Sequence, residues 1–378
     1  MKKIEHKVIL SRILRLLIPL VLLAGIILGS SLVPRTPIGA NNRSIYARAV
    51  VESVTVDQTE GAPYTGTQKV LVRVTSGQFK GQTCELSNAN AYHIGAYCMP
   101  GTKIIAMLHT NSDGTLSGGS VYNYDRTGMV YLLVGLFAAI LLLVGGKKGA
   151  AALYALIFTF VCVICVYVPL LYVGCNGIPA GIATAVLSLV GSIYILNGWS
   201  GKTLTAIIGT TLGVGISGLL AMVVGRLFHL SGYNLEDAEA MVYIAGSTKL
   251  DVANILYAGV LISSLGAVMD VSVSIVAAMQ EVHEQAPGLS AKELMRSGMR
   301  VGRDMMGTMS NTLILAYTGS ATSVLLTVYS FGRPYLQMMG YNAIVTEILC
   351  GLCGTIGILL TVPLQTAITT LWLKRINK

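Results

Sequence analysis

A series of apolar runs, each long enough to cross a lipid bilayer, restricts this chain more than any other feature. They fall at residues 13–33, 128–146, 150–173, 178–196, 203–225, 252–279, 305–331 and 343–372. About 20 apolar residues carry a helix across the hydrocarbon core, where only helices and closed barrels satisfy their own backbone groups. Charged residues make up 11% of the 378 positions, against about 25% in soluble domains. The chain therefore reads as an α-helical polytopic membrane protein with about eight transmembrane helices.

The net charge of +9 would point to nucleic acid in a soluble protein, but its distribution points elsewhere. With the N-terminus inside, the inner segments collect fifteen Lys and Arg, while the short outer loops hold only Arg226, Lys249 and Arg333. That asymmetry is the positive-inside pattern. It predicts a plasma-membrane protein with both termini in the cytoplasm, in contact with the lipid bilayer and not with nucleic acid. The first span has a basic start and an apolar core but no A-x-A site after it, so residues 1–33 are expected to be an uncleaved anchor.

Residues 34–126 are the sizeable polar insert, expected on the extracytoplasmic side. The segments SIYARAVVESVTV, KVLVRVT, TCELS, TKIIAMLHT and LSGGSVYNY read as five short strands, divided by TEGAPYTG, SGQFKG, MPG and NSDG turns. Val70, Val72 and Val74 alternate with Leu71, Arg73 and Thr75, the period of a half-buried strand. Five strands in this length fit a small OB-like β-barrel between helices one and two, though a five-stranded sandwich would look the same. Residues 127–378 then form a seven-helix membrane domain. Cys84 and Cys98 lie in the insert, where a disulfide can form. The pairs Cys162/Cys165 and Cys350/Cys353 sit inside apolar helices and read as small packing residues. No His or Cys cluster has zinc-site spacing, so no metal or cofactor is expected.

Within the membrane half, GTTLGVGISG (209–218) and GLCGTIG (351–357) carry repeated small residues, which let helix backbones approach closely where lipid gives no hydrophobic drive. Two acids fall inside the apolar runs, Asp270 and Glu347. Glu347 is near the end of its span and can reach the interface. Asp270, in GAVMDVSVSIVAAMQEV, lies about nine residues from the inner end at Met279, some 13 Å at 1.5 Å per residue. An ionised Asp at a helix centre costs roughly 2.5–3.5 kcal/mol on insertion scales, and such residues commonly mark ion or proton pathways. The plain counterpart is a buried structural hydrogen bond. The next span supplies candidate partners at similar depth, Thr308, Ser310 and Asn311, after the charged pair Arg303–Asp304. Further along, Tyr317, Thr318, Gly319, Ser320, Thr322 and Ser323 form a small polar patch near the midplane. Either a broken helix at a site or tight packing of an intact one accounts for it. In the connector, Ser290 and Glu293 have capping-box spacing. The basic helix that follows is expected to lie at the headgroups, or to act as a gate through Arg303 and Asp304.

The blocks GAVMDVSVSIVAAMQE and SGMRVGRDMMGTMSNTLILAY resemble the signature of the bacterial YibE/F family of multi-pass membrane proteins, and the resemblance covers roughly residues 120–378. The N-terminal anchor with its β-rich insert is similar to the YibE type. The resemblance implies a partner, a paralogous YibF-type subunit, with a homo-oligomer as the other option. It implies transport without assigning a role to any residue.

From the residues, the leading function is a transporter, or a subunit of one, for an ion or small polar solute. Asp270 would take the charge and Thr308, Ser310 and Asn311 would complete the coordination. No G-x-x-x-x-G-K-[ST] loop is present to supply nucleotide energy. The alternative is a non-transporting scaffold or assembly factor whose β domain binds an envelope partner. An enzyme is not expected. An aspartyl dyad would need two facing carboxylates, and Asp304 lies about a turn nearer the cytoplasm beside Arg303. Neither G-x-S-x-G nor H-E-x-x-H occurs.

Overall fold

A computed structural model describes residues 2–33, 44–61, 64–91, 95–111, 113–235 and 237–376, with backbone alone for 2–16 and 376. The first ten residues of the expected β-rich insert, 34–43, lie outside the described residues. The chain divides into two compact units, one of residues 36–143 and the other of residues 1–35 with 144–378.

The first unit is built on a closed five-stranded barrel of order β1-β2-β3-β5-β4. Its strands are β1 (Ser44–Glu60), β2 (Thr65–Val74), β3 (Thr83–Asn90), β4 (Lys103–Thr110) and β5 (Leu116–Tyr124). All five expected strand segments are found. The long β1 pairs with β4 through its first half and with β2 along most of its length. Register shifts between Val51 and Ser53 and between Val54 and Val56 mark bulges, which bend a strand enough to serve two neighbours. Alternation does the rest: Val70, Val72 and Val74 of β2 point inward with Val51, Leu86, Ile104, Ala106 and Leu108, while Arg73 pairs outside with Glu52 at 3.2 Å.

Two amides are also buried in this core, Gln68 and Asn88, each 1% exposed. They pair with one another, Asn88 Nδ2 donating to Gln68 Oε1 at 3.0 Å, while Asn88 Oδ1 is buried without a hydrogen bond among the described residues. They also hold the 95–98 segment: Gln68 Oε1 accepts from the Cys98 amide at 2.9 Å, and Gln68 Nε2 donates to the Cys98 carbonyl at 3.2 Å. Cys84 and Cys98 are free thiols, and Cys98 Sγ donates to the Ala96 carbonyl at 3.1 Å. Burial pushes the Cys98 thiol up to about 11, which keeps it protonated and unreactive.

The helical part comprises α1 (Lys2–Ser31), α2 (Thr127–Cys162), a π-helical turn (Val163–Tyr167), α3 (Val168–Val173), α4 (Gly177–Asn197), α5 (Gly201–Leu227), α6 (Ala238–Ser247), α7 (Ile255–Gln285), α8 (Ala291–Ser320), α9 (Thr322–Ser330), α10 (Tyr335–Met339) and α11 (Asn342–Ile376). Among the described residues, five helical runs are long and apolar enough to cross a membrane, and a sixth if the pair α8–α9, bent by 60°, counts as one. This is a coarser result than eight separate spans. The stretches 128–146 and 150–173 form one 47-residue run, Thr127–Val173, broken in direction at Gly146, whose φ of 51° and ψ of −128° leave the helical region. The described side chains of α1 give only a fifteen-residue apolar stretch, Leu17–Ser31. The π-turn lies just before Pro169, where a missing N–H and a bulky ring disturb the normal ladder.

At the centre of the second unit α7 packs on α4, α5, α8 and α11. Its Val268, Val271, Ile275, Val276 and Met279 meet Val214 of α5, Leu189 and Ile193 of α4, Leu294 of α8 and Ile358 and Val362 of α11. Glycines permit the approach. A Cβ on Gly209 would run into the Gln365 side chain, one on Gly213 into Thr361 and, at 2.8 Å, Val268, and one on Gly218 into Leu261. The GLCGTIG segment packs likewise, with a Cβ on Gly354 only 2.8 Å from Leu313 and one on Gly357 2.7 Å from Ser217. Buried polar groups tie the same helices: Ser217 Oγ donates to the Cys353 carbonyl at 3.1 Å, and Gln365 Nε2 to the Thr205 carbonyl at 3.2 Å.

Candidate functional site

Helix α7 has two unlike faces. Val260, Leu261, Leu265, Val268, Ser272, Ile275, Val276 and Met279 are buried. Gly259, Ser263, Gly266, Asp270 and Ala277 are exposed on the protein surface. From Gly259 to Asp270 the exposed set recurs every three to four residues, and Ala277 follows two turns later, so it forms one stripe along the helix. Asp270 is thus not buried against α8, contrary to the sequence-based expectation. Two residues from Val268, it is turned roughly 200° around a helix of 3.6 residues per turn and faces away from the α5–α11 core.

The expected partners on α8 do not meet it by hydrogen bond. Asp270 has no hydrogen-bonding or ion-pair partner among the described residues. Thr308 and Asn311 are exposed, and Thr308 Oγ1 donates back to the Met305 carbonyl at 2.9 Å. Ser310 Oγ is buried without a partner. What α8 turns to the core is a different face: Leu294, Gly298 and Gly302 are buried, and Met299, Met305, Met306, Met309 and Leu313 pack on the core. The glycines are decisive, because a Cβ on Gly298 would strike the Met279 sulfur and one on Gly302 would strike Val362. Sequence depth matched Asn311 to Asp270, but the small residues set the rotation of α8, and its polar edge turns outward.

Arg303 and Asp304 are both exposed. Arg303 joins Lys292, Arg296 and Arg300 with Met295 and Met299 around a basic recess on α8. The helix begins at the expected capping box. The Glu293 amide donates to Ser290 Oγ at 3.3 Å, and the Ser290 amide donates to Glu293 Oε2 at 2.8 Å.

A cavity of about 250 Å³ opens beside the α7 stripe, between the second half of α2, α4 and α7. Its walls are mainly apolar and include five hydroxyl residues, Thr159, Thr184, Ser188, Ser192 and Ser263. Thr159 and Ser192 lie 3.0 Å apart, and Ser188 Oγ donates to Thr159 at 3.1 Å. Gly266 and Met269 complete the α7 wall, so Asp270 stands one turn, about 6 Å of rise, beyond the last α7 glycine of the cavity. These hydroxyls are absent from the sequence-based candidates. Their signal was the spacing Thr184–Ser188–Ser192, four residues apart on one face of an otherwise apolar helix.

The polar patch at the end of α8 proves to be a break. The helix stops at Ser320 and α9 departs at 60°. Tyr317 Oη donates to Ser263 Oγ at 2.6 Å, so the break is attached to the α7 stripe and to the edge of the hydroxyl cavity. Glu347, set aside on sequence grounds as interfacial, lines a second cavity at this break together with Tyr317 and Thr318. Among the described residues, no group of three His, Cys, Asp or Glu side chains comes together to hold a metal ion.

Comparison with curated proteins and with solved structures gave no match. A family model described as YibE/F-like protein matches residues 133–375, more than half of the chain and nearly all of its helical part beyond α1, so this chain belongs to the YibE/F-like family.

Proposed function

We propose that this integral membrane protein is a transporter, or one subunit of a transporter, for a proton, a metal cation or a small polar solute. One observation carries the reading: the lone carboxylate of Asp270 stands on the open face of α7, one turn from a cavity lined by five hydroxyls. A carboxylate left against lipid tails at that depth costs several kcal/mol, so such groups turn to water or to a protein partner. Hydroxyls supply the uncharged oxygens that a dehydrated cation or a proton-bearing water needs. In this reading Asp270 holds the charge, and Thr308 and Asn311 on the outward edge of α8, with the buried Ser310 between them, serve it when that helix rotates or when a neighbouring subunit covers both faces. Arg303 and Asp304 gate the inner end.

The cover is a paralogous YibF-type subunit or a second copy of this chain. The 47 residues of Thr127–Val173 suffice for two crossings joined at Gly146. With α1 they would give eight crossings, both termini in the cytoplasm of a bacterial plasma membrane, and the barrel outside. We read the β1-β2-β3-β5-β4 order as an OB-like barrel.

A second reading, an assembly factor without transport activity, draws on the barrel. Tyr46 and Tyr122 are 58% and 53% exposed and meet edge to face at 5.3 Å, an aromatic patch of the kind that anchors protein partners. The two readings part at Asp270→Asn, which keeps the shape and removes the charge. Thermal stability of the purified protein is to be measured across pH and a series of cations, wild type beside variant. A bound ligand stabilises by RT ln(1 + [L]/Kd), about 2.7 kcal/mol at a hundred times Kd. The transport reading expects a proton- or cation-dependent shift in wild type that Asp270→Asn lacks. Equal responses from two folded proteins would make the charge structural and leave the assembly reading standing.

A further inference from the structure

The second cavity, at the α8–α9 break, differs from the first in having an acidic side chain in its lining. It measures about 480 Å³ and is a half-open recess bounded by the end of α8, α9, α10 and the first turns of α11. That is the size of a pocket for a drug-sized organic molecule. Its walls are mainly apolar, with Leu325, Met338 and Met339 facing the break and isoleucines and leucines behind them, and Glu347 is the one acidic side chain of its lining.

Three hydroxyls at the break bond back to their own helix turn. Thr318 Oγ1 donates to the Ile314 carbonyl at 2.8 Å, Ser320 Oγ to the Tyr317 carbonyl at 2.8 Å and Thr322 Oγ1 to the Gly319 carbonyl at 2.8 Å. The Tyr317 hydroxyl donates to Ser263, which leaves its ring as cavity wall. A sugar or other neutral polar solute would find few hydroxyls to bind here. A bare inorganic cation requires about six oxygen ligands at close range, more than this lining offers. A carboxylate, an aromatic face and two polarisable thioethers instead suit a cation with an apolar body.

We propose that this cavity binds an amphipathic organic cation, with its charge toward Glu347 and its apolar groups against Tyr317, Leu325 and the Met338–Met339 pair. The site goes beyond the Asp270 reading and does not rest on it. Asp270 is two turns along α7 from Ser263, the residue that Tyr317 touches.

Binding of tetraphenylphosphonium to the full-length protein in neutral detergent tests the proposal, with tetraphenylborate as the anion of the same shape. Wild type is expected to bind the cation saturably. Glu347→Gln should weaken binding at least about tenfold, and Leu325→Trp, which fills the cavity without touching the charge, should weaken it comparably. Asp270→Asn should bind as wild type does. Equal affinity of wild type and Glu347→Gln, or equal binding of the cation and the anion by wild type, would overturn the proposal and leave an apolar groove for lipid tails. If Glu347→Gln does not melt cooperatively, Leu325→Trp decides alone, and unaltered binding by it overturns the proposal. Loss of binding in Asp270→Asn with both cavity variants intact would also overturn it, by moving the cation to the α7 stripe.

Discussion

Gly209 and Gly215 lie six residues apart in the same small-residue segment of α5, yet their surroundings are opposite. Gly209 is pressed against the buried Gln365 side chain of α11, whereas nothing lies within 4 Å of a Cβ built on Gly215. Gly209→Ile should therefore force α5 from α11 and destabilise by about 1–3 kcal/mol or more, while Gly215→Ala should be neutral or stabilising by up to about 1 kcal/mol. Thermal unfolding of the two variants in detergent checks this, and equal effects would refute the packing. At this scale the sequence marked both positions alike, since a glycine does not record which of its sides is occupied. Asp270 shows the same limit: its type and depth were legible, its direction was not.

Helices α7 and α8 each carry a packed face and an open one. A hydrogen bond from Tyr317 to Ser263 joins their open edges. Hydrogen bonds between membrane helices contribute about 0.6 kcal/mol on average, with a maximum near 1.7. A double-mutant cycle with Tyr317→Phe and Ser263→Ala should return a coupling energy in that range, and a value near zero would detach the α8–α9 break from the α7 stripe. The break itself was one of two readings of the Tyr317–Ser323 patch. Hydroxyls that bond to the preceding turn, as those of Thr318, Ser320 and Thr322 do, are compatible with both a straight and a bent helix. The local pattern leaves the bend open, and the structure shows it as 60° between α8 and α9.

For the molecule as a whole, the barrel and the helical unit each close around a core of their own. Among the described residues the barrel core contains no residue of the helices, and the hydrogen bonds of its buried amides are made chiefly within β2, β3 and the 95–98 segment. Residues 36–126 expressed alone should accordingly fold, with a β-type circular dichroism spectrum and a cooperative melt. Asn88→Ala should lower its stability by about 1–3 kcal/mol, since the Ala96 carbonyl and Gln68 lose a buried partner. A non-cooperative fragment would show that the barrel needs the membrane unit.

The apolar runs and the alternation in KVLVRVT were enough to establish a membrane protein with a separate β-rich insert. Burial against water or lipid leaves a periodic trace in any segment. The GAVMDVSVSIVAAMQE and SGMRVGRDMMGTMSNTLILAY blocks pointed to the YibE/F family, and the match over residues 133–375 bears that out. The rotation of α7 and α8 and the gathering of Thr159, Ser188 and Ser192 into one cavity depend on which helix packs against which. Those pairings come from glycine contacts between segments as distant as Gly209 and Gln365, and no local pattern in either segment encodes the other.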